Sequence, residues 1–460
     1  MSVGQSDALV FFGATGDLAY KQIFPALAGL VKDEGVEIPI VGVALPAWTQ
    51  EKFCAHACDS LKAHGSFDEA TFQKLCRLLQ YVNGDYSDPG TFQRLKQALG
   101  SARRPLHYLA IPPSLFPVVV GSLAKAGLNV NARLVVEKPF GRDRASAAAL
   151  NTTLHEFFPE DAIFRIDHYL GKEPVQNIVY TRFANSALEP IWNRTYVKSI
   201  QITMAEAFGV DDRGSFYDAT GALRDVVQNH MLQVLANLMM DPPTGEDHDA
   251  RQDQKAALLK AVCPLDPANV ARGQYDGYRS VPGVKPDSTV ETFVALKLYV
   301  DSWRWAGTPV YIRAGKKLPA TATEVIVEYK PTPRATFAEK LPYSGYMRFR
   351  LGPDVGVAMG LRVKRPGEQM VGQDVELVLT EQAASLVPPY ERLLGGALRG
   401  DRELFGREDI VDAQWRVVQP VLDRPPACET YAPGTWGPKS AAALIGSDDS
   451  WRDPKLSVTG

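Results

Sequence analysis

Residues 8–12, Ala-Leu-Val-Phe-Phe, are wholly apolar and stop at Gly13. A helical pattern then runs from Leu18 to about Val31, with Pro25 inside it, and a second apolar run follows at 38–43. Strand, glycine-rich turn, helix and buried strand within about 35 residues make a βαβ unit. A crossover of this kind commits the chain to parallel strands whose two faces both need covering, which excludes most all-β and all-α folds. Further apolar strands at 106–111 and 133–137 alternate with helical segments at 49–64, 68–81, 91–99, 114–126 and 143–157. The alternation predicts an α/β, doubly wound (Rossmann-type) N-terminal domain over residues 1–167.

From about residue 195 the pattern changes. Apolar and polar residues alternate at 196–204, 292–299, 323–329 and 356–364, without regular helices between them. An apolar helix from Leu223 to Met240 precedes Pro242 and Pro243, a polar loop spans 241–254, and a helix follows at 255–263. These features predict a larger α+β domain over 168–460, built on a mostly antiparallel sheet. No internal period of the solenoid kind is present.

Composition narrows the function classes. Lys and Arg total 50 against 53 Asp and Glu, a net charge of −3, too balanced for a general nucleic-acid or membrane-surface binder. No basic start leads into an apolar core at the N-terminus, and no apolar run approaches a membrane span. Five cysteines, sparse and odd in number, fit a reducing compartment, so a soluble cytoplasmic protein is expected. Cys54, His56, Cys58, His64 and Cys76 lie close together, but they include no CxxC pair. Ordinary packing is the better reading there, and no metal is expected.

Five clusters carry possible chemistry. Phe12-Gly13-Ala14-Thr15-Gly16-Asp17-Leu18-Ala19 is a strand end, a G-x-x-G turn and a helix start. Gly13 permits the tight turn, Gly16 lets backbone approach a pyrophosphate, and the helix N-terminus offers N–H groups. Arg165-Ile-Asp167-His168-Tyr169-Leu-Gly-Lys172-Glu173 gathers an acid, an imidazole, a phenol and a lysine. If helical, it places His168 and Lys172 on one face, able to grip a phosphate dianion. Asp225-Val-Val-Gln-Asn229-His230 opens the apolar helix, with His230 either a core residue or a base for a hydroxyl proton. Glu137-Lys138-Pro139 and Arg313-Ala-Gly-Lys316-Lys317 put lysines at turns, where surface charge is the plain alternative. Strand two ends in Val41-Gly42-Val43-Ala44-Leu45-Pro46, with neither the acid that suits NAD nor the Arg that suits NADP.

In order, these motifs resemble those of the glucose-6-phosphate dehydrogenases. So do the lesser signatures Gly84-Asp-Tyr-Ser-Asp88, Leu109-Ala-Ile-Pro-Pro113, Trp192-Asn-Arg194, Glu391-Arg392, Gly400-Asp401 and Gly434-Thr-Trp-Gly-Pro438. The resemblance spans about residues 8–438. It implies oxidation of C1 of β-D-glucose 6-phosphate to the 6-phospho-δ-lactone, with reduction of a nicotinamide dinucleotide, in the pentose phosphate pathway. It also implies that His230 is the general base and Asp167 orients it. His168, Tyr169 and Lys172 would hold the sugar phosphate, and Lys138, Glu206, Asp225 and Lys316 the sugar. Cofactor contacts would come from Gly13, Ala14, Thr15, Gly16, Asp17, Leu18, Leu45, Pro112 and Lys138. A homo-oligomer, dimer or tetramer, formed through the large sheet is implied as well.

Three positions depart from the family pattern. Leu45 stands where Arg is common, which favours NAD over NADP. Gln22 stands where lysine is usual, and Thr321 where Lys or Arg is usual. Losing two cations weakens attraction for a dianion, so a modified hexose (another 6-phosphate, an amino sugar phosphate or a 6-sulfonate) is the alternative substrate. A non-catalytic paralogue acting as a regulatory partner is the alternative from another class.

Overall fold

A computed structural model of the chain describes residues 4–65, 67–334, 337, 344–382, 387–446 and 449–454. The chain forms two compact units: Met1–Lys172 with Leu386–Asp412, and Glu173–Ser385 with Ala413–Gly460. The sequence pattern marks one boundary, near 167; the segment 386–412 groups with the N-terminal unit.

The first unit is built on strands β1 (Ala8–Phe12), β2 (Ile40–Ala44), β3 (Leu79–Asn83), β4 (Pro105–Leu109), β5 (Arg133–Glu137) and β6 (Ile163–Ile166). Among the described residues, these and the short strand Phe405–Gly406 form one sheet, in the order Phe405–Gly406, β6, β5, β4, β1, β2, β3. All pairs are parallel except that of β6 with Phe405–Gly406. The period of two along β1 explains its composition. Leu9 and Phe11 enter one core cluster, and Ala8, Val10 and Phe12 the cluster on the opposite face. Burying each Phe contributes roughly 1.5–3 kcal/mol.

Helix starts follow their caps. Asp68, Asp88 and Asp143 each accept a backbone N–H at the first turn of Glu69–Leu78, Pro89–Leu99 and Arg144–His155. Two local expectations are corrected. The segment 68–81 is not one helix, because Leu79 leaves the helix and opens β3. The run from Leu18 to Val31 is a π-helical turn, Ala19–Ile23, continued by the α-helix Phe24–Asp33; Pro25, which cannot donate to the preceding turn, sits just past the junction where the helix changes from π to α.

The second unit carries β7 (Val197–Ala205), β8 (Val270–Tyr275), β9 (Phe293–Leu298), β10 (Val310–Gly315), β11 (Ala322–Tyr329), β12 (Tyr346–Gly352), β13 (Val355–Lys364) and β14 (Gly372–Gln382). Among the described residues, they and Cys428–Tyr431 form a nine-stranded sheet, ordered β14, β13, β12, β11, β7, β10, β9, β8, Cys428–Tyr431. Its pairs are antiparallel except β7 with β10 and β8 with Cys428–Tyr431. Strand β14 is an edge, and it exposes Leu377, Val378 and Leu379. The helix expected from 255 begins earlier, as His248–Ala261, because the Asp247 side chain caps it.

Cys54 and Cys76 are joined as a disulfide between helices Gln50–His64 and Glu69–Leu78, with a Cα–Cα distance of 5.8 Å. The bond departs from the sequence reading of these cysteines as ordinary packing in a reducing compartment, because helix pairing brings together two residues that no short spacing links. His56 packs against Tyr20 and Trp48, and burial lowers its pKa. No helix among the described residues is long and apolar enough to cross a membrane.

Candidate active site

In the first unit, β1 is flanked by β4 and β2, so the strand order reverses direction beside it. Ligands of open α/β sheets bind in the crevice at the carboxyl ends of the strands there. Gly13 occupies that point with φ +80°, and a Cβ on it would lie 2.2 Å from the Ala110 carbonyl oxygen. Its N–H meets the Val43 carbonyl and the Tyr86 hydroxyl, both at 2.9 Å. The Gly16 N–H closes the turn on the Gly13 carbonyl at 2.9 Å, and the helical run follows from Leu18. Ala14 is buried, whereas Asp17 is exposed and pairs with Lys21 at 3.0 Å. Thr15 and Leu18 are half-buried at the same turn. A close-fitting glycine turn leading into a helix N-terminus suits a pyrophosphate.

Leu45 follows β2 and is 66% exposed, and Pro112 is exposed just beyond β4. Lys138 follows β5, half-buried. These three and the glycine turn therefore all lie at carboxyl ends of neighbouring strands. Gln22 is exposed on the first helical turn.

Residues 167–172 follow β6 as a series of turns, and the helix begins only at Glu173. The helical i,i+4 arrangement considered for His168 and Lys172 is thus replaced by a folded turn. Leu170 N–H bonds the Asp167 carbonyl at 2.9 Å, and Lys172 N–H bonds that of Tyr169 at 3.1 Å. The turn still gathers the expected groups. Lys172 Nζ lies 3.9 Å from the Tyr169 ring centroid, and the His168 and Tyr169 rings are 5.2 Å apart. Asp167 is buried, with Oδ1 accepting the Tyr169 N–H at 2.9 Å.

In the second unit, Glu206 and Lys316 follow the parallel neighbours β7 and β10, which brings them side by side. Lys316 Nζ donates to Glu206 Oε2 at 2.7 Å and lies 4.9 Å from the Phe208 ring and 5.2 Å from the Tyr217 ring. Burial raises the Tyr217 pKa well above its usual value, with the charges of Asp225, Glu206 and Glu291 adding to it. Lys316 thus lies against a phenol that also feels the charges of Glu206 and Asp225. Tyr217 and Phe208 were not singled out from sequence: Phe208 follows β7 closely, but Tyr217 lies in the helix Gly214–Ala222, and no spacing ties it to Lys316. Thr321 is also here, its Oγ1 accepting the Ala207 N–H at 3.0 Å.

His230 is 1% exposed, and its N–H donates to Asn229 Oδ1 at 2.6 Å. The segment Leu223–Met231 is π-helical rather than α-helical, and the α-helix runs only over Leu232–Met239. In an α-helix, residues five apart sit about 140° out of line; the i→i+5 bonding of a π-helix brings Asp225 and His230 towards one face. Gly221, with φ +69°, precedes this helix, and a Cβ there would lie 2.6 Å from Glu291 Oε1.

Fold and motifs define the class first: a doubly wound dinucleotide-binding unit joined to an antiparallel-sheet unit, the build of a nicotinamide-dependent oxidoreductase. Residues 10–177 match the family model "Glucose-6-phosphate dehydrogenase, NAD binding domain", and residues 179–452 match "Glucose-6-phosphate dehydrogenase, C-terminal domain". Glucose-6-phosphate 1-dehydrogenase 1 of Mycobacterium tuberculosis is 44% identical over 457 residues, covering 98% of this chain and 97% of that protein. The enzyme of Aggregatibacter actinomycetemcomitans is 38% identical, covering 97% of each chain. A crystal structure of the Mycobacterium avium enzyme superposes with a TM-score of 0.93 at 47% identity, covering 98% of this chain and 99% of that one. A glucose-6-phosphate dehydrogenase in complex with glucose 6-phosphate gives a TM-score of 0.90 at 33% identity, with the same coverage. The chain belongs to the glucose-6-phosphate dehydrogenase family.

Proposed function

We propose that the chain oxidises C1 of β-D-glucose 6-phosphate to 6-phosphoglucono-1,5-lactone, and that it prefers NAD to NADP. The observation that carries this reading is the retained set of family residues in two built clusters: the 167–172 turn, and the Glu206–Lys316 pair at Tyr217, whose phenol also feels the charge of Asp225. In this reading His168, Tyr169 and Lys172 hold the dianion, with two cationic donors and a phenol in one turn. Glu206, Asp225, Lys316 and Lys138 hold the sugar hydroxyls. His230 takes the C1 hydroxyl proton, and Asp167 orients the imidazole and stabilises its charged form.

The Gly13–Leu18 turn fits a dinucleotide: Gly13 allows the close turn against the Ala110 backbone, and exposed Gly16 leaves the helix N-terminus open to a pyrophosphate. A bound nicotinamide dinucleotide supplies the acceptor for the C1 hydride, while the protein supplies binding, orientation and the base. Leu45 presents an apolar, exposed side chain at the carboxyl end of β2, in place of the Arg common in the family, and this supports the preference for NAD. The exposed apolar edge β14 supports self-association through the large sheet, because a strand paired on one side only favours a partner on the other. A cytoplasmic setting suits this chemistry.

Thr321 favours the second reading, a modified hexose, because its hydroxyl is committed to backbone rather than replacing a cation. A substrate panel decides between them. Glucose 6-phosphate, other hexose 6-phosphates, amino sugar phosphates and 6-sulfonates are assayed with NAD and with NADP. The main reading expects the highest kcat/KM for glucose 6-phosphate with NAD. A higher value for a modified hexose supports the second reading, and no turnover with any pair supports a non-catalytic paralogue.

A further inference from the structure

Strand β5 ends in a buried carboxyl that the proposed chemistry does not use. Glu137 is 8% exposed and immediately precedes Lys138. Tyr108 on β4 stands opposite Val135, so the period of two puts it on the same sheet face as Glu137. Its hydroxyl donates to Glu137 Oε1. From the helix Pro389–Arg399, which covers this face through Leu393 and Leu394, the Tyr390 hydroxyl bonds the same carboxyl.

The arrangement is costly for mere packing. Burial raises the Glu137 pKa to about 7, against the pull of both phenols and of Lys138. Burial also raises both tyrosines, and the carboxylate charge adds to it. An apolar side chain would fill this site without that penalty. The same helical turn also reaches the 167–172 turn. Tyr390 feels the charge of Asp167, Arg392 Nη1 donates to the Gly171 carbonyl at 3.0 Å, and the Pro389 carbonyl lies 2.9 Å from where a Gly171 Cβ would be.

We propose that Glu137 is a positioning residue: held between Tyr108 and Tyr390, it fixes Lys138 at the end of β5 relative to the turn that carries Asp167, His168, Tyr169 and Lys172. Glu137 touches no reacting atom and acts through Lys138. The inference rests on the assignment of Lys138 to the sugar and the nicotinamide. A carboxyl shared by two hydroxyls from different elements leaves the strand end one arrangement, and the lysine at the next residue inherits that precision.

The test is a double-mutant cycle on kcat and on KM for both substrates, with thermal melting alongside. Glu137→Gln keeps the shape but replaces one of the two acceptor oxygens with a donor, so it cannot accept from both phenols in the same way, and Tyr390→Phe removes a single hydroxyl. Each is made alone and with Lys138→Ala. Either single change is expected to lower kcat/KM by about tenfold, the size of coupling found within one hydrogen-bonded network. In the Lys138→Ala background the same change is expected to cost almost nothing further. If Lys138→Ala alone leaves the kinetics untouched, the assignment of Lys138 is wrong and the inference goes with it. If Lys138→Ala is impaired and the losses simply multiply, the assignment stands and the positioning role is overturned. Should Glu137→Gln fail to fold, Tyr390→Phe completes the cycle.

Discussion

Lys316 Nζ lies 2.7 Å from Glu206 Oε2, although the two residues are 110 positions apart. Parallel pairing of β7 with β10 makes them neighbours, each just past a strand end. Both side chains are largely buried, so removing one leaves the other with an uncompensated charge. Lys316→Ala is expected to raise KM for glucose 6-phosphate by roughly 10–100-fold, the range for a lost hydrogen bond to a charged group. Glu206→Gln keeps one acceptor and is expected to do less. Steady-state kinetics check this, and an unchanged KM in Lys316→Ala removes the pair from the sugar site.

His230→Asn is expected to lower kcat by roughly 10²–10⁴, the usual contribution of a positioned base, with little change in KM. The imidazole is enclosed, so circular dichroism and melting are needed to show that the fold persists. Near-normal kcat in a folded variant means the proton leaves by another group.

Leu45→Arg places a guanidinium at the exposed end of β2, where it meets a 2′-phosphate bidentately. The ratio of kcat/KM for NADP to that for NAD is expected to rise by at least about tenfold, the worth of a good charge-assisted contact. An unchanged ratio shows that the 2′-phosphate is read elsewhere.

The sequence made β1 and β5 legible because both are short apolar runs ended by polar or glycine signals. Strand β3 escaped because Leu78 and Leu79 carry the apolar pattern across its start without any breaker, so helix and strand share one run. The π-helix at Leu223–Met231 escaped for another reason: nothing in so short a segment distinguishes i→i+5 from i→i+4 bonding, yet the choice alters which side chains share a face. The glycine turn was readable because its function is local. The Glu137–Tyr108–Tyr390 group was not, since three separate elements contribute to it and no spacing records that they meet.

His107 on β4 gives a stability test independent of catalysis. It is fully buried, with Nε2 2.8 Å from the Leu128 carbonyl, and burial lowers its pKa from 6.5 to about 4 against the opposing pull of that carbonyl. Above pH 6.5 the ring is neutral in folded and unfolded chains alike, and its contribution is complete. As the pH falls towards 4 the unfolded chain binds a proton that the folded one excludes, so up to roughly 3 kcal/mol is lost. His107→Gln retains a donor for Leu128 and is expected to flatten the decline seen by denaturant unfolding between pH 7 and 4.5. Identical slopes for the two proteins mean that His107 is not buried neutral.

The central claim is removal of hydrogen from C1 of glucose 6-phosphate, and isotopic labelling addresses it most directly. Purified protein is given NAD and glucose 6-phosphate deuterated at C1, and the reduced cofactor is analysed by mass spectrometry. The account predicts that the deuterium appears on the nicotinamide ring and that the product is the phospholactone. Reduced cofactor without deuterium, or no reduction of either NAD or NADP, would contradict it.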